Sequence, residues 1–310
     1  MTEDNHRQES RRKFLLILAI AVIAVNLRPS IAAVGPLIHE IRLDTGLSNI
    51  WLGMLTTLPV LAFGIFSVWT PVFTRKIGTE GTMAFALILL TAGILCRIIP
   101  SFPALFLGTV ILGTGIALAN VLLPGIAKKN FPRKFGMVTG IYSAMLGTGA
   151  AIASGISVPL SDELGLGWRW SLGIWAGISF LALVIWLPQM KQNTLAVPGK
   201  NLRSSLKHLG TSELALYIAL FMGLQSFTFY VLLAWLPEIL IGRGMSPERA
   251  GWMLSLVQAT GVIGTFAVPS WASRRKRQRL PVLLIIVCEV VSITGLMMPS
   301  LFMVEAWMIL

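Results

Sequence analysis

The chain of 310 residues is too apolar and too poor in charge to be an ordinary water-soluble protein. Apolar residues make up 55% of it, charged residues make up 12%, and the mean hydropathy is +0.79. Soluble domains carry about 25% charged residues, so the composition excludes a typical cytosolic enzyme, a disordered regulator and a fibrous protein. Several uncharged runs reach the roughly 18 residues needed to cross the hydrocarbon core of a bilayer. The sequence therefore predicts an all-α polytopic membrane protein, because helices satisfy their own backbone hydrogen bonds in lipid.

The formal net charge of +12 indicates membrane topology rather than nucleic-acid binding. Most basic residues lie in short loops between apolar runs, as they do in multi-pass membrane proteins. The sequence carries no Walker A, HExxH, GxSxG or dinucleotide-binding pattern. Cys96 and Cys288 lie inside apolar runs and form no CxxC pattern. We therefore expect no enzyme activity, no metal or cofactor site and no nucleic-acid partner.

Nine apolar spans and the start of a tenth follow one another along the chain. Their expected bounds are 14–38, 49–71, 82–100, 102–126, 137–160, 168–188, 213–240, 250–272 and 281–299, with the tenth beginning near 300. A polar tail, 1–13, precedes the first span; a signal peptide is the alternative, but Arg28 and Pro29 interrupt the apolar run. A polar linker, 190–211, separates a six-helix half, 14–189, from an incomplete second half, 212–310.

Basic residues distinguish the two sides of the membrane. The side that holds the N-terminal tail and the linker 190–211 carries 19 Lys and Arg residues. The opposite side carries five, namely Arg42, Arg97, Arg169, Arg243 and Arg249. Because cytoplasmic loops are enriched in Lys and Arg, we expect the N-terminus and the linker to be cytoplasmic.

The two halves repeat one pattern. A shift of 198 residues aligns 46–71 with 244–269, matching a glycine at the start and a proline at the end. Both segments lead into a basic loop, at 75–76 and at 274–277. A parallel repeat of two six-helix halves is the architecture of major facilitator transporters. By this measure the second half lacks roughly 80–90 residues, so we expect a truncated or fragmentary chain.

Arg28 is the most informative single residue, because it lies near the middle of the first span. A lone cation at that depth costs at least about 2.5–3.5 kcal/mol on insertion scales, so its side chain must face protein or water. The six spans of the first half contain no Asp or Glu to pair with it. A guanidinium without a carboxylate partner suits a small planar anion. The alternatives are a structural Arg bound by backbone carbonyls and one that reaches outward to the membrane surface.

Pro29 and Asn26 flank Arg28 on the same span. Pro29 has no amide to bond the Val25 carbonyl, so we expect an interrupted helix there. A broken helix beside a cavity recurs in transporter sites, and a simple kink is the alternative. On an ideal helix the two-residue separation points Asn26 and Arg28 apart, unless the break at Pro29 changes their directions.

Five strings in the chain resemble those of one branch of the major facilitator superfamily. They are Asn26-Leu27-Arg28-Pro29-Ser30, Val34-Gly35-Pro36-Leu37, Leu55-Thr56-Thr57-Leu58-Pro59, Asn120-Val121-Leu122-Leu123-Pro124-Gly125 and Trp235-Leu236-Pro237. The branch contains the cyanate and 2-nitroimidazole transporters. The resemblance implies a monomeric secondary transporter of a small polar solute, working by alternating access around a midplane site in the bacterial inner membrane. The alternative is an inserted remnant that does not transport.

The same resemblance implies which side chains bind the solute, because spans 1, 4, 7 and 10 line the central cavity in this fold. The candidate solute-binding residues are Arg28, Asn26, Asn120, Gln225, Tyr230, Tyr142 and Gln258. The last two lie outside the four lining spans and are the weaker candidates. For Asn120 an interhelical hydrogen bond is the alternative role.

Four further residues are candidates for conformational or coupling roles. Pro29 marks the helix break, and Arg75 and Lys76 lie in the loop after the second span. In the superfamily an acidic residue usually stands where Arg75 is, so the usual charge lock is not expected here. Glu289 lies within the ninth span and is a candidate for proton coupling, although that span is peripheral in the superfamily.

Overall fold

The structure is a bundle of long helices. A computed structural model describes residues 3–192, 210–272 and 279–297, together with positions 304 and 306. All regular elements in these residues are helical, as the composition predicted.

The helices fall into two groups on either side of the linker. The first half contains α1 (Glu3–Leu27), α2 (Pro29–Ala32), α3 (Val34–Thr45), α4 (Asn49–Ser67), α5 (Thr70–Ile98), α6 (Phe102–Asn130), α7 (Phe135–Ser161), α8 (Gly167–Gly173) and α9 (Trp175–Trp186). Short 3-10 turns follow α6 and α9, at Pro132–Lys134 and Leu187–Gln192. The second half contains α10 (Glu213–Ile241), α11 (Pro247–Ala272) and α12 (Arg279–Met297).

Eight segments of the described chain are long and apolar enough to cross a membrane. The helices α1 to α3 form the first of them, Arg11–Thr45. The ninth expected span corresponds to a shorter apolar segment, Leu283–Leu296. The tenth span, apart from positions 304 and 306, and most of the linker, 193–209, lie outside the described residues.

The first span is longer than the hydropathy pattern predicted. It was expected to end at 38, but α3 continues to Thr45 and carries a polar turn beyond the apolar run. Gly46 ends the helix, since it adopts a left-handed conformation with φ 66° and donates its amide to the Arg42 carbonyl at 2.9 Å. We call this end of the molecule, where α3 and α10 finish, the far end, and the end with the N-terminal tail the near end.

Arg97 does not belong to the surface charges of the far end, as the count of basic residues assumed. Its side chain is only 2% exposed, and its Nη1 donates to the Ser30 carbonyl at 2.8 Å. The stem of Arg97 passes Gly108 of α6, where an added Cβ would lie 2.8 Å from the Arg97 Cγ. A glycine in the neighbouring helix therefore makes room for this burial. Without Arg97 the asymmetry of basic residues between the two ends is larger than expected.

The halves pack against each other mainly through α7 and α11. Gly147 and Gly155, part of a stripe of small residues in α7, lie against Val262 and Trp252 of α11. An added Cβ at Gly147 would be 2.5 Å from a methyl carbon of Val262, and one at Gly155 would be 2.9 Å from the Trp252 ring. Small residues thus let the two helices approach closely.

Candidate functional site

The first span is broken where the sequence predicted. The helix α1 ends at Leu27 and α2 begins at Pro29, with Arg28 between them at φ −101° and ψ −28°. Because Pro29 has no amide, it donates no hydrogen bond to the Val25 carbonyl. That carbonyl faces α7, where an added Cβ at Gly149 would lie 2.0 Å from its oxygen. A glycine at 149 therefore allows α7 to pack directly on the break.

Arg28 links the two halves at this break. Its side chain is half-buried, and its guanidinium carbon lies 4.7 Å from the centre of the Phe229 ring on α10. A cation over an aromatic face is attracted by the ring quadrupole. Among the described residues no protein group forms a hydrogen bond or ion pair with the Arg28 side chain. Its donors therefore remain able to bind a ligand.

Aromatic rings extend from Arg28 toward α4. The Phe229 and Tyr230 rings lie 5.2 Å apart with their planes at 83°, and the Tyr230 and Phe63 rings lie 6.3 Å apart. Tyr230 was predicted from the sequence, whereas Phe63 and Phe229 were not. Phenylalanine is common in apolar spans, so its presence alone does not indicate a site. The one available signal was that Phe229 follows Gln225 by four residues and therefore shares its helix face.

Phe229 also lines a cavity of about 800 Å³ between α10, α11 and α12. Two predicted residues, Gln225 and Glu289, line the same cavity. Its other polar lining residues are Thr228, Thr260, Thr265 and Ser292. The Glu289 carboxylate makes no hydrogen bond or ion pair with any described residue. The structure thus brings Gln225 and Glu289 into one cavity, with Arg28 in contact with part of its wall.

The other four predicted binding residues do not join this group through hydrogen bonds within the described chain. Asn26 is completely buried, and neither its Oδ1 nor its Nδ2 has a described partner. The same holds for Nε2 of the buried Gln258 on α11. Tyr142 is half-buried on α7 and packs against the apolar core, while Asn120 is exposed on α6. Their solute-binding roles stay predictions.

The halves are held together at the far end by polar and backbone contacts. Nη1 of Arg42 on α3 donates to Oε1 of Glu238 on α10 at 2.5 Å. Nδ1 of His39 lies 3.9 Å from the other Glu238 oxygen. The backbones of α3 and α10 also touch, one to two helical turns before Arg42 and Glu238. An added Cβ at Gly35 would lie 2.3 Å from the Leu233 carbonyl oxygen. The far end is therefore closed between α3 and α10.

The near end contains a buried carboxylate, Glu80, that the sequence analysis did not single out. Glu80 is 7% exposed and accepts a hydrogen bond from Nζ of Lys129 at 2.9 Å. Its backbone carbonyl accepts one from Nε1 of Trp186, also at 2.9 Å. Arg75 and Lys76 are exposed before the bend in α5. Their gating roles, and that of Pro29, stay predictions.

A sequence profile described as the Major Facilitator Superfamily matches residues 14–310. The chain belongs to this superfamily. It is 40% identical over 300 residues to the uncharacterized transporter YycB of Bacillus subtilis, covering 96% of this chain and 74% of that protein. It is 36% identical over 291 residues to the 2-nitroimidazole transporter of Escherichia coli, covering 94% and 74%. It is 27% identical over 281 residues to the cyanate transport protein CynX of Escherichia coli, covering 90% and 72%.

Solved structures support the same fold. The D-xylose-proton symporter superposes with a TM-score of 0.71 at 13% identity, covering 96% of this chain and 78% of that one. At this identity the likeness concerns the fold alone. As a member of the superfamily the protein is a secondary transporter of small solutes, and the branch expected from its strings is confirmed. Membership of a transporter family agrees with the expectation that it is not an enzyme, and none of these relationships favours the non-transporting remnant.

Proposed function

We propose that this transporter carries a small planar polar solute, cyanate-like or nitroimidazole-like, which binds between the halves at Arg28. One observation carries the proposal: a half-buried guanidinium at a helix break contacts Phe229 of the other half and has no described hydrogen-bond partner. Two relatives are named for a nitroimidazole and for cyanate. Both solutes are small and carry acceptor atoms that an arginine donates to.

The chemistry of the surrounding residues fits a planar solute. Arg28 supplies a rigid set of N–H donors that suits planar acceptors such as nitro groups and small anions. Phe229 and Tyr230 supply aromatic faces beside these donors. Gln225, one turn earlier on α10, supplies both a donor and an acceptor. A solute held by these groups contacts both halves at once.

Contact with both halves gives the site its role in alternating access. In this fold the two halves rock around a central site. The closed far end, with its Arg42–Glu238 ion pair, corresponds to a state in which the solute reaches the site from the near end. To release solute at the far end, α3 and α10 must separate.

Binding to purified protein tests the role of Arg28. Wild-type protein and the Arg28→Lys and Arg28→Gln variants are titrated with 2-nitroimidazole and with potassium cyanate, and heats are recorded by calorimetry. Losing hydrogen bonds from a charged donor weakens affinity by about 10- to 100-fold. Arg28→Lys keeps the charge but loses the planar fork, so cyanate binding weakens less than in Arg28→Gln. For the neutral nitroimidazole the two variants differ little.

Arg169 provides a matched control. It too lies over an aromatic ring, 4.1 Å from the centre of Trp168, but at the far end and outside the site. Arg169→Gln leaves both affinities unchanged. Wild-type affinity for both solutes in monodisperse Arg28→Gln protein would remove Arg28 from the site.

Glu289 is the proposed proton-carrying group. It lines the same cavity as Gln225, and a carboxylate within a membrane span is a coupling candidate. In vesicles that contain the Glu289→Gln protein, an imposed proton gradient no longer changes the rate of solute accumulation. Solute binding to the variant persists. A gradient effect equal to that of the wild type excludes Glu289 from coupling.

The proposed location is the bacterial inner membrane with a cytoplasmic N-terminus. The support is the excess of basic residues at the near end. In a background without Cys96 and Cys288, a cysteine replacing Asn201 in the linker resists membrane-impermeant maleimide in intact cells. A cysteine replacing Glu163 at the far end is labelled readily. Labelling in the reverse order contradicts the orientation.

A further inference from the structure

A second cavity, of about 560 Å³, lies at the near end where the first span enters the bundle. It is lined by Lys13, Phe14 and Ile17 of α1 and by Asn130, Phe131, Pro132, Arg133 and Lys134 between α6 and α7. Lys13 precedes Arg28 by fifteen residues of mostly helical chain, which is roughly 22 Å. This cavity is therefore separate from the candidate solute site.

The charged residues that line this cavity are all basic. Lys13, Arg133 and Lys134 come from two segments that are far apart in sequence. Arg133 and Lys134 are exposed, and no carboxylate pairs with either of them in the described part of the chain. The exposed charges of Arg133 and Lys134 therefore give the cavity a positive potential, which favours an anion.

Apolar residues lie directly beside these charges. Phe14 follows Lys13 and is 67% exposed, while Phe131 is buried to 6% exposure in the cavity wall. Ile17 continues the apolar face one turn further into the span. Lys13 stands where the polar tail meets the apolar run of α1, which is the level of lipid headgroups. A ligand that fills this cavity thus needs an anionic group joined to an apolar chain.

We propose that the cavity binds the headgroup of an anionic phospholipid, of the phosphatidylglycerol type, in the leaflet at the near end. Its phosphate contacts Arg133 and Lys134, and its acyl chain runs along Phe14 and Ile17. Basic pockets between transmembrane helices bind anionic headgroups by this combination. Free phosphate would use the cations but leave the exposed Phe14 without an apolar partner. The assignment to the cytoplasmic leaflet depends on the proposed orientation, whereas the binding itself is independent of solute transport.

Lipid titration of the purified protein tests this site. Detergent-solubilised protein receives phosphatidylglycerol, phosphatidylcholine or inorganic phosphate, and its melting temperature is followed. Phosphatidylglycerol raises the melting temperature, and the other two do so much less. In Arg133→Gln/Lys134→Gln the apparent affinity for phosphatidylglycerol falls about ten- to thirty-fold, as expected from the loss of two cations near a headgroup.

The pair Lys76→Gln/Lys128→Gln provides the matched control. Both lysines are exposed at the near end, and neither lines the cavity. This pair removes the same charge but retains wild-type affinity for phosphatidylglycerol. Mass spectrometry of co-purified lipid provides a second measurement, in which the Arg133→Gln/Lys134→Gln protein retains less phosphatidylglycerol than the control pair. Equal losses in both pairs, or equal stabilisation by inorganic phosphate, would overturn the proposal.

Discussion

Arg42 and Glu238 join the two halves of the transporter by an ion pair of 2.5 Å at the far end. The side chains are 31% and 17% exposed, so solvent weakens but does not abolish their attraction. Arg42 belongs to the first span and Glu238 to the seventh, which means that the pair forms only when the far end is closed. An interaction present in one conformation alone shifts the equilibrium toward that conformation.

The first prediction therefore concerns Glu238→Gln. Because the variant weakens the closed far end, the buried interface between α3 and α10 opens more often. A cysteine replacing Ala234, which is 2% exposed in this interface, reports the opening in a background without Cys96 and Cys288. We expect maleimide to label it several-fold faster in purified Glu238→Gln protein, corresponding to about 1 kcal/mol of lost stabilisation. The exchanged pair Arg42→Glu/Glu238→Arg restores slow labelling, and an unchanged rate in Glu238→Gln contradicts the idea.

The second prediction concerns the backbone contact at Gly35. An added Cβ would lie 2.3 Å from the Leu233 carbonyl oxygen, so Gly35→Ala forces α3 and α10 apart. Overpacking of this kind costs about 1–3 kcal/mol, and we expect rapid labelling at Ala234→Cys with a lower melting temperature. Gly64→Ala is the control, because no atom lies within 4 Å of a Cβ added there. Slow labelling in Gly35→Ala protein argues against a tight contact.

Local chemistry explains why the helix break was predictable from the sequence whereas the contacts between halves were not. The break depends on Pro29, whose missing amide disturbs any helix. By contrast, Arg42 and Glu238 are separated by 196 positions, and nothing in either segment identifies its partner. Hydropathy also placed Arg97 at the surface, because its burial depends on the glycine at 108 in another helix.

The candidate site shows the same limit. Arg28 was identified because a lone charge in an apolar span is unusual. Phe229 is one of 15 phenylalanines in an apolar chain, so only its position over Arg28 distinguishes it. Asn26 was identified as polar, but its burial without a described partner depends on how α1 packs against its neighbours.

The third prediction concerns Glu80 at the near end. Its carboxylate is buried and paired with Lys129, so Glu80→Gln leaves the ammonium group with a weaker neutral partner. Hydrogen bonds to charged groups contribute about 1.5–3 kcal/mol, and we expect a clear fall in the melting temperature of the purified protein. Glu163→Gln, at an exposed position after α7, is the control and changes stability by less than about 0.5 kcal/mol. Equal melting temperatures for the two variants would mean that the buried pair adds no stability.

The last prediction tests whether Phe229 acts through Arg28. A cation over an aromatic ring is stabilised by about 0.5–2 kcal/mol, so Phe229→Leu removes an interaction that positions the guanidinium. We expect solute affinity to fall by about two- to thirty-fold. Phe227→Leu provides the control on the same helix, because Phe227 is 69% exposed and makes no ring contact with the described residues; it retains wild-type affinity.

A double-mutant cycle separates this role from direct contact between the ring and the solute. If Phe229 only positions Arg28, the effects of Arg28→Gln and Phe229→Leu are not additive, and the double variant binds no more weakly than Arg28→Gln alone. If the ring also stacks on the solute, Phe229→Leu weakens binding further in the Arg28→Gln background. That second loss is larger for 2-nitroimidazole, which has an aromatic ring, than for cyanate, which has none. Wild-type affinity in Phe229→Leu protein would contradict both roles and leave Arg28 to act without its aromatic neighbour.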